Sequence, residues 1–257
     1  MISSTSNPQV KYIRQLCKKS KLRHKDRLFS AEGVRILNEV PKERVRNIYI
    51  SESFIKSCDT TGFEADKIEV VTDEVFKSIA DTTTPQGILS LIEMPRYNIE
   101  EMIRDDSLLI ILEDLQDPGN LGTIMRMAEG AGACGVIMTK QTTDLFSPKA
   151  VRATMGAIFR MPYFITDSIE ETISQLKKAS INIYAATLDG DCDYDKQDYT
   201  NPSAIIIGNE GAGIKPGTAA LADKKIFIPM KGSLESLNAA MAAGIITYEA
   251  ARQRRQI

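Results

Sequence analysis

The 257-residue chain contains a single histidine, His24, and only four cysteines, Cys17, Cys58, Cys134 and Cys192, none of them in a CxxC pair. One histidine excludes a histidine-rich metal site and argues against a Ser-His-Asp triad, so no metal is expected. Scattered cysteines without a disulfide framework point to reduced thiols and a cytoplasmic protein. Long apolar runs are missing as well. Residues 108–112 and 204–207 are among the longest, whereas a membrane-spanning helix needs about 20 residues. The first ten residues are polar and lack the apolar core of a signal peptide. No GxxxxGK(S/T) string occurs, which removes the P-loop. Internal repeats and low-complexity segments are also absent.

What remains is an ordinary globular composition, 43% hydrophobic and 26% charged, with length for one large or two small domains. The net charge of −2 conceals a polarised chain: +8 over residues 1–46, −6 over 47–100 and −4 over 101–257. The positive block is densest over Lys18-Lys19-Ser20-Lys21-Leu22-Arg23-His24-Lys25-Asp26-Arg27, and Arg252, Arg254 and Arg255 form a second cluster. A basic arm on a mildly acidic protein suits a polyanion, because Lys and Arg neutralise phosphates and release counterions. A solvated helix face is the plainer alternative.

Strand-like and helix-like patterns alternate. Helical periodicity over 9–27, with Val10, Ile13, Leu16 and Cys17 on one face, leads into strand patterns at 28–32, 45–51, 68–72 and 87–92, with helices at 34–40 and 73–80. Polar residues after Pro95 mark a linker at 98–106 between a small α/β unit, 1–97, and a larger one, 107–257. The larger unit opens on 107–113, an apolar run typical of a strand covered on both faces. Helices follow at 120–129, 147–157, 168–179 and 233–254, with strands at 134–139, 159–165, 182–187, 204–208 and 225–229. That alternation predicts a mostly parallel sheet, whose ligands bind beyond the strands' carboxyl ends. The loops there read EDLQDPGNLG, LDGDCD, NEGAGI and MKGSLESLN.

Two decoys fall away. Gly130-Ala131-Gly132-Ala133-Cys134-Gly135 spells GxGxxG, but a dinucleotide fingerprint follows a strand and opens a helix, whereas here the order is reversed. Helix termination explains these glycines better. Asp189, Asp191, Asp193 and Asp195 resemble half a calcium loop, without the glycine and distal Glu of an EF-hand.

Three segments carry the functional reading. The first is Asp117-Pro118-Gly119-Asn120-Leu121-Gly122-Thr123-Ile124-Met125-Arg126, with Asn120 placed to cap a helix. The second is Ile206-Ile207-Gly208-Asn209-Glu210-Gly211-Ala212-Gly213-Ile214. The third runs from Ile226 to Asn238 and contains Pro229-Met230-Lys231-Gly232-Ser233-Leu234-Glu235-Ser236-Leu237. In order, spacing and residue type they resemble the three motifs of the SpoU/TrmH family of RNA ribose 2′-O-methyltransferases, of the SPOUT class, over about residues 108–248. Residues 1–95, through element order and the SAEGVRIL stretch, are similar to the small α/β RNA-substrate-binding domain found ahead of it.

The resemblance implies an α/β fold in which the C-terminal SPOUT domain holds a mostly parallel sheet and a deep trefoil knot, an exception to the unknotted-chain rule. It implies S-adenosyl-L-methionine as cofactor, RNA as substrate, with ribosomal RNA first and transfer RNA as the alternative, and a homodimer in which both subunits frame each active site. A non-catalytic RNA-binding protein on the same fold is a further alternative. The cofactor loops would include Thr187, Leu188, Gly208, Glu210, Ile228, Met230 and Leu237. Arg126 matches the arginine proposed to activate the ribose hydroxyl, and Asn120, Glu210, Ser236 and Asn238 match the other polar catalytic positions. A guanidinium is a permanent cation and a poor base. Either an RNA phosphate shares in the proton's path, or the arginine orients the ribose and stabilises charge.

Overall fold

The structure is a computed structural model describing residues 1–57 and 62–255, so Cys58 lies outside the described residues. The chain divides into two compact units, Met1–Arg96 with Asp144–Phe159, and Tyr97–Thr143 with Arg160–Ile257.

In the first unit, α1 (Pro8–Lys18) starts where the Asn7 side chain accepts the Gln9 N–H and Pro8 takes the first helical position, both favourable start signals. It buries Val10, Ile13 and Leu16. The single helix expected over 9–27 is interrupted. Lys19 is extended (φ −114°, ψ 104°), and α2 (Ser20–Asp26) begins afresh. The break has a local cause: Arg23, 3% exposed, donates from Nη1 to the carbonyls of Leu16 and Cys17 at 2.6 and 3.0 Å. Those carbonyls would otherwise accept the N–H groups of residues 20 and 21 in a continuous helix. Next come β1 (Leu28–Glu32), α3 (Val34–Glu39), β2 (Val45–Ser51), α4 (Glu52–Ser57), β3 (Ile68–Val71), α5 (Asp73–Ile79) and β4 (Ile88–Glu93). Helix α4 has no counterpart in the periodicity reading. The sheet runs β1-β4-β2-β3, with β2–β3 parallel and the other two pairings antiparallel. Val10, Ile13, Leu16, Val75, Phe76 and Ile79 pack over its Tyr49, Leu89 and Leu91.

The second unit begins before its first strand. Ile99 and Met102, within the stretch expected as a linker, are buried in its core. β5 (Leu108–Leu112) is buried along its whole length, as its unbroken apolar run demands. α6 (Pro118–Ala131) and β6 (Gly135–Thr139) follow. Gly132 closes α6 in a left-handed conformation, φ 75°, so the GxGxxG string does terminate a helix. The stretch 144–159 belongs to the first unit and carries α7 (Pro148–Thr154), capped by Ser147. β7 (Tyr163–Thr166) starts later than the strand expected at 159–165, because Ala157–Phe159 form a 3₁₀ turn. The remainder is α8 (Ile169–Lys178), β8 (Asn182–Ala186), β9 (Cys192–Asp193), β10 (Ser203–Ile207), α9 (Pro216–Ala219), β11 (Lys224–Phe227) and α10 (Ala239–Arg254). The expected helix over 233–254 begins only at Ala239, because Asn238 caps it, accepting the N–H groups of Ala240 and Met241.

The seven strands run β7-β6-β5-β10-β8-β11-β9, and every pairing is parallel. From β5 the chain builds outward through β6 and β7 on one side, then crosses to β8 on the other, and β10 later inserts between β8 and β5. The carboxyl ends of β5 and β10 therefore flank a switch point, where an open parallel sheet binds its ligand.

Candidate active site

A cleft of about 590 Å³ opens beyond the carboxyl ends of β8, β10 and β11, within the range of small-molecule sites. Three turns wall it. The first holds Thr187 and Leu188, the second Gly208 to Ile214, and the third Ile228, Met230 and Ser236–Leu237. All seven residues expected to contact a cofactor, Thr187, Leu188, Gly208, Glu210, Ile228, Met230 and Leu237, line this one cavity.

The second turn is tightly closed. Asn209 and Gly213 exchange both backbone hydrogen bonds, at 3.0 and 2.9 Å. The Asn209 side chain accepts the N–H groups of Gly211 and Ala212 and donates to the Asp114 carbonyl. Gly213 has φ 69°, and a Cβ on Gly208 would lie 2.2 Å from the Gly213 carbonyl carbon. Glycine is therefore a steric requirement at 208 and a conformational one at 213.

Glu210 projects from this turn to the start of α6. Its Oε1 accepts the Asp117 N–H and the Asn120 side-chain amide, and its Oε2 the Gln116 N–H, each at 2.9 Å. Partial burial pushes this carboxyl up. The Gln116, Asn120 and Asp117 donors outweigh that, and it is held below the usual glutamate range. The Asn120 Oδ1 in turn accepts the Asn238 Nδ2 at 2.9 Å. One residue from each of the three motifs is thus joined in a chain, Glu210–Asn120–Asn238. Asn120 is not the helix cap the sequence suggested. Asp117 takes that position and accepts the Asn120 N–H at 2.8 Å, which leaves the Asn120 side chain to bridge its two neighbours.

A second carboxylate ties the same loop from the other direction. Glu113, 1% exposed at the end of β5, accepts the Lys215 N–H at 2.8 Å and the Thr218 hydroxyl at 2.6 Å. Lys215 Nζ pairs with Asp114 at 2.7 Å. Periodicity reasoning passed over Glu113. Its signal was a lone charge closing an unbroken apolar run.

Two features remain available to a ligand. Thr187 Oγ1 is buried with no hydrogen-bond partner among the described residues, a costly arrangement unless something else satisfies it. Ser236 lines the cleft, and its hydroxyl makes no hydrogen bond among them. Leu188, which lines the cleft, is 72% exposed. Arg126 stands apart. It is exposed on α6, less than two turns beyond Asn120, does not line the cleft and makes no ion pair among the described residues. Those residues also contain no group of three or more His, Cys, Asp or Glu able to hold a metal ion, and no helix long and apolar enough to cross a membrane.

Comparison with known proteins matches the chain to a family. The model described as the SpoU rRNA Methylase family fits residues 107–248, and that of the MRM3-like substrate binding domain fits residues 7–90. The chain is 31% identical over 250 residues to the 23S rRNA (guanosine(2553)-2′-O)-methyltransferase RlmP of Bacillus subtilis strain 168, covering 96% of this chain and 97% of that protein. Among solved structures, the SpoU methyltransferase AviRb from Streptomyces viridochromogenes in complex with AdoMet superposes with a TM-score of 0.86 at 28% identity, covering 97% and 98% of the two chains. The AdoMet-bound rRNA methyltransferase from Sinorhizobium meliloti gives 0.83 at 32%, covering 98% and 97%.

Proposed function

Because this chain belongs to the SpoU rRNA methylase family, we infer that it transfers a methyl group from S-adenosyl-L-methionine to a ribose 2′-hydroxyl of ribosomal RNA. The observation that carries the reading is the Glu210–Asn120–Asn238 chain at the rim of a single cleft in which all seven expected cofactor residues converge.

The cleft fits the cofactor on its own terms. Thr187, which lines the cleft, carries a buried hydroxyl with no hydrogen-bond partner among the described residues. Gly208 lets the backbone of the second turn approach closely. Ile228, Met230 and Leu237 supply apolar walls, the combination expected for an adenosine with a few fixed polar contacts. When bound, S-adenosyl-L-methionine supplies an electrophilic methyl group on a sulfonium. The protein's work is then orientation, which accounts for much of the rate of a bimolecular displacement.

In that role Asn120 and Asn238 hold the first and third motifs in register. The unbonded hydroxyl of Ser236 is free to meet the ribose. Glu210, with both oxygens already accepting N–H donors, is a positioning residue rather than a proton acceptor. Arg126 meets the reacting hydroxyl, orienting it and stabilising charge as its proton leaves. Since Arg126 does not line the cleft of its own chain, this role favours a homodimer in which the second copy completes each site. Met241 and Tyr248, 59% and 47% exposed and seven residues apart on α10, offer an apolar face for such a pairing. The further reading is a cytoplasmic enzyme with a trefoil-knotted catalytic domain at 107–257 and a substrate-binding domain at 1–97. Intact motifs weigh against a purely non-catalytic RNA-binding role.

The test is transfer of a labelled methyl group from S-adenosyl-L-methionine to ribosomal RNA from cells lacking the protein, with ribose methylation mapped afterwards. A new 2′-O-methyl mark in ribosomal RNA supports the assignment. A mark confined to transfer RNA would change the substrate, and no transfer together with no cofactor binding by calorimetry would refute the activity.

A further inference from the structure

We propose that the corner formed by α1 and α2 is the phosphate-docking ridge through which the first unit grips RNA. The proposal rests on the RNA-methylation reading above and adds to it a surface and a mode of contact. Lys11, Arg14 and Lys18 are all exposed. They fall at i, i+3 and i+7 of α1, which places them on one stripe. Lys19 sits at the break, and Lys21 and Lys25, also exposed, are four residues apart on α2.

Two observations separate this ridge from an ordinary solvated face. The first is that its cations are unpaired. The only carboxylate on the two helices is Asp26, which accepts the Tyr12 hydroxyl at 2.8 Å. None of Lys11, Arg14, Lys18, Lys19, Lys21 and Lys25 makes an ion pair among the described residues, and Lys19 has only a 3.5 Å contact with Gln15. Elsewhere cations are commonly matched, as in Arg152–Asp81, Lys177–Asp223 and Arg252–Glu249. This concentration of unmatched positive charge lies in a chain whose net charge is −2.

The second is that the corner is built rather than loose. Arg23, buried beneath α2, is bonded by Nη1 to the last carbonyls of α1 and by Nε and Nη2 to Asp144, at 2.8 and 2.6 Å. Arg23, the buried basic residue of the block, fixes the angle between the helices. Lys21 and Lys25 lie on the opposite side of α2 and so point away from the fold. A rigid, unpaired array of this kind matches a phosphate backbone, which binds through charge and sets register without reading bases. The ridge therefore contributes affinity and placement, and the choice of nucleotide lies elsewhere.

The test uses the full chain, with ribosomal RNA from a deletion strain as the probe, titrated across salt concentrations. One variant combines Lys11→Gln, Arg14→Gln and Lys18→Gln, a second combines Lys21→Gln and Lys25→Gln, and a control neutralises two exposed lysines elsewhere, Lys77→Gln and Lys178→Gln. The triple variant is expected to bind at least about tenfold more weakly near 0.15 M salt, with the slope of log K against log salt shallower by about 2–3. Its KM for RNA should rise, while kcat, the methylated position and the calorimetric affinity for S-adenosylmethionine stay at wild-type values. The double variant should show the same pattern with a smaller slope change, and the control should show neither. Unchanged RNA affinity and slope in both variants, with the wild type still methylating RNA, would overturn the ridge and leave the activity standing. A loss confined to binding of phosphatidylserine vesicles would assign the ridge to a membrane surface and likewise overturn it. Failure of the wild type to methylate any RNA would refute the activity itself, a result separable from the other two.

Discussion

The side chains of Asn120 and Asn238, 118 positions apart in the chain, meet in a hydrogen bond of 2.9 Å. Both are also engaged elsewhere, since Asn120 donates to Glu210 and Asn238 caps α10. The start of α6, the turn after β10 and the start of α10 are thereby held in one arrangement. Cutting the bond at either end should disturb the same geometry. Asn238→Ala should cost about 1 kcal/mol through the lost cap alone, and Asn120→Ala a similar amount through the lost amide donor to Glu210 Oε1, which keeps only the Asp117 N–H. In a double-mutant cycle read in kcat/KM, the two losses should fall short of additivity by about 1 kcal/mol. Strict additivity would mean that the bond does not couple the motifs.

Glu210 separates a positioning role from an acid-base one. Its carboxyl is held below the usual range, so the hydrogen bonds it accepts are in place at neutral pH and are lost only as pH falls through that depressed value. Activity between about pH 5 and 8 should therefore show no limb belonging to Glu210. Glu210→Gln turns an amide donor toward the Gln116, Asp117 and Asn120 N–H groups and should lower kcat/KM by roughly tenfold or more while leaving the shape of the pH profile alone. Disappearance of a pH limb in that variant would make Glu210 the base.

Glu113 offers an independent handle on the same turn. Removing its carboxylate leaves the Lys215 N–H and the buried Thr218 hydroxyl without their acceptor, a cost of about 1–3 kcal/mol for an unsatisfied buried group. Glu113→Ala should lower the unfolding midpoint and weaken S-adenosylmethionine binding in calorimetry, with RNA affinity in filter binding unchanged. Equal cofactor affinity in variant and wild type would show that the turn holds its shape without this tie.

Much of this site could be read before any coordinates, because glycine-rich turns at strand ends carry their own conformational signature. Gly208 and Gly213 are required by closeness and by positive φ, and β5 declared its burial in LLIIL. Other features depend on contacts that periodicity does not encode. The break at Lys19 arises because Arg23 claims the carbonyls of Leu16 and Cys17. The helix expected from 233 starts only at Ala239, because α10 waits for the Asn238 cap. Asp117 displaced Asn120 as the cap of α6, a three-residue difference that turns a local structural residue into a bridge between motifs. The assignment of 144–159 to the first unit has no local signature at all.

Asp144 should govern acid stability of the first unit. Burial alone would push its carboxyl up, but the His24 contact, the Arg23 charge and the Ser20 and Phe146 donors together hold it well below the usual aspartate range. A depressed carboxylate stabilises the fold above its unfolded value, near 3.9, and that contribution drains away as pH falls further. Asp144→Asn strands the buried guanidinium and should cost about 3 kcal/mol near neutrality, with a flatter loss of stability between about pH 5 and 2 than the wild type shows. Denaturant unfolding at a series of pH values measures both quantities. Parallel pH curves for the two proteins would remove Asp144 from the acid transition.

The position of Arg126 leads to the most exacting test of assembly. If this arginine serves the cleft of a second copy, Arg126→Ala retains an intact cofactor cleft and fails only for want of its partner's guanidinium. Gly208→Val does the reverse, blocking its own cleft, where a Cβ has no room, while still offering Arg126. Each variant alone should be nearly inactive. Mixed by co-expression, half the dimers are heterodimers, and each of those contains one complete site, so activity should return to about a quarter of the wild-type value. Arg126→Ala should still bind S-adenosylmethionine normally in calorimetry, which distinguishes lost chemistry from lost folding. No recovery in mixtures whose heterodimers are verified by mass spectrometry would place Arg126 in service of its own chain's cleft, or outside the reaction.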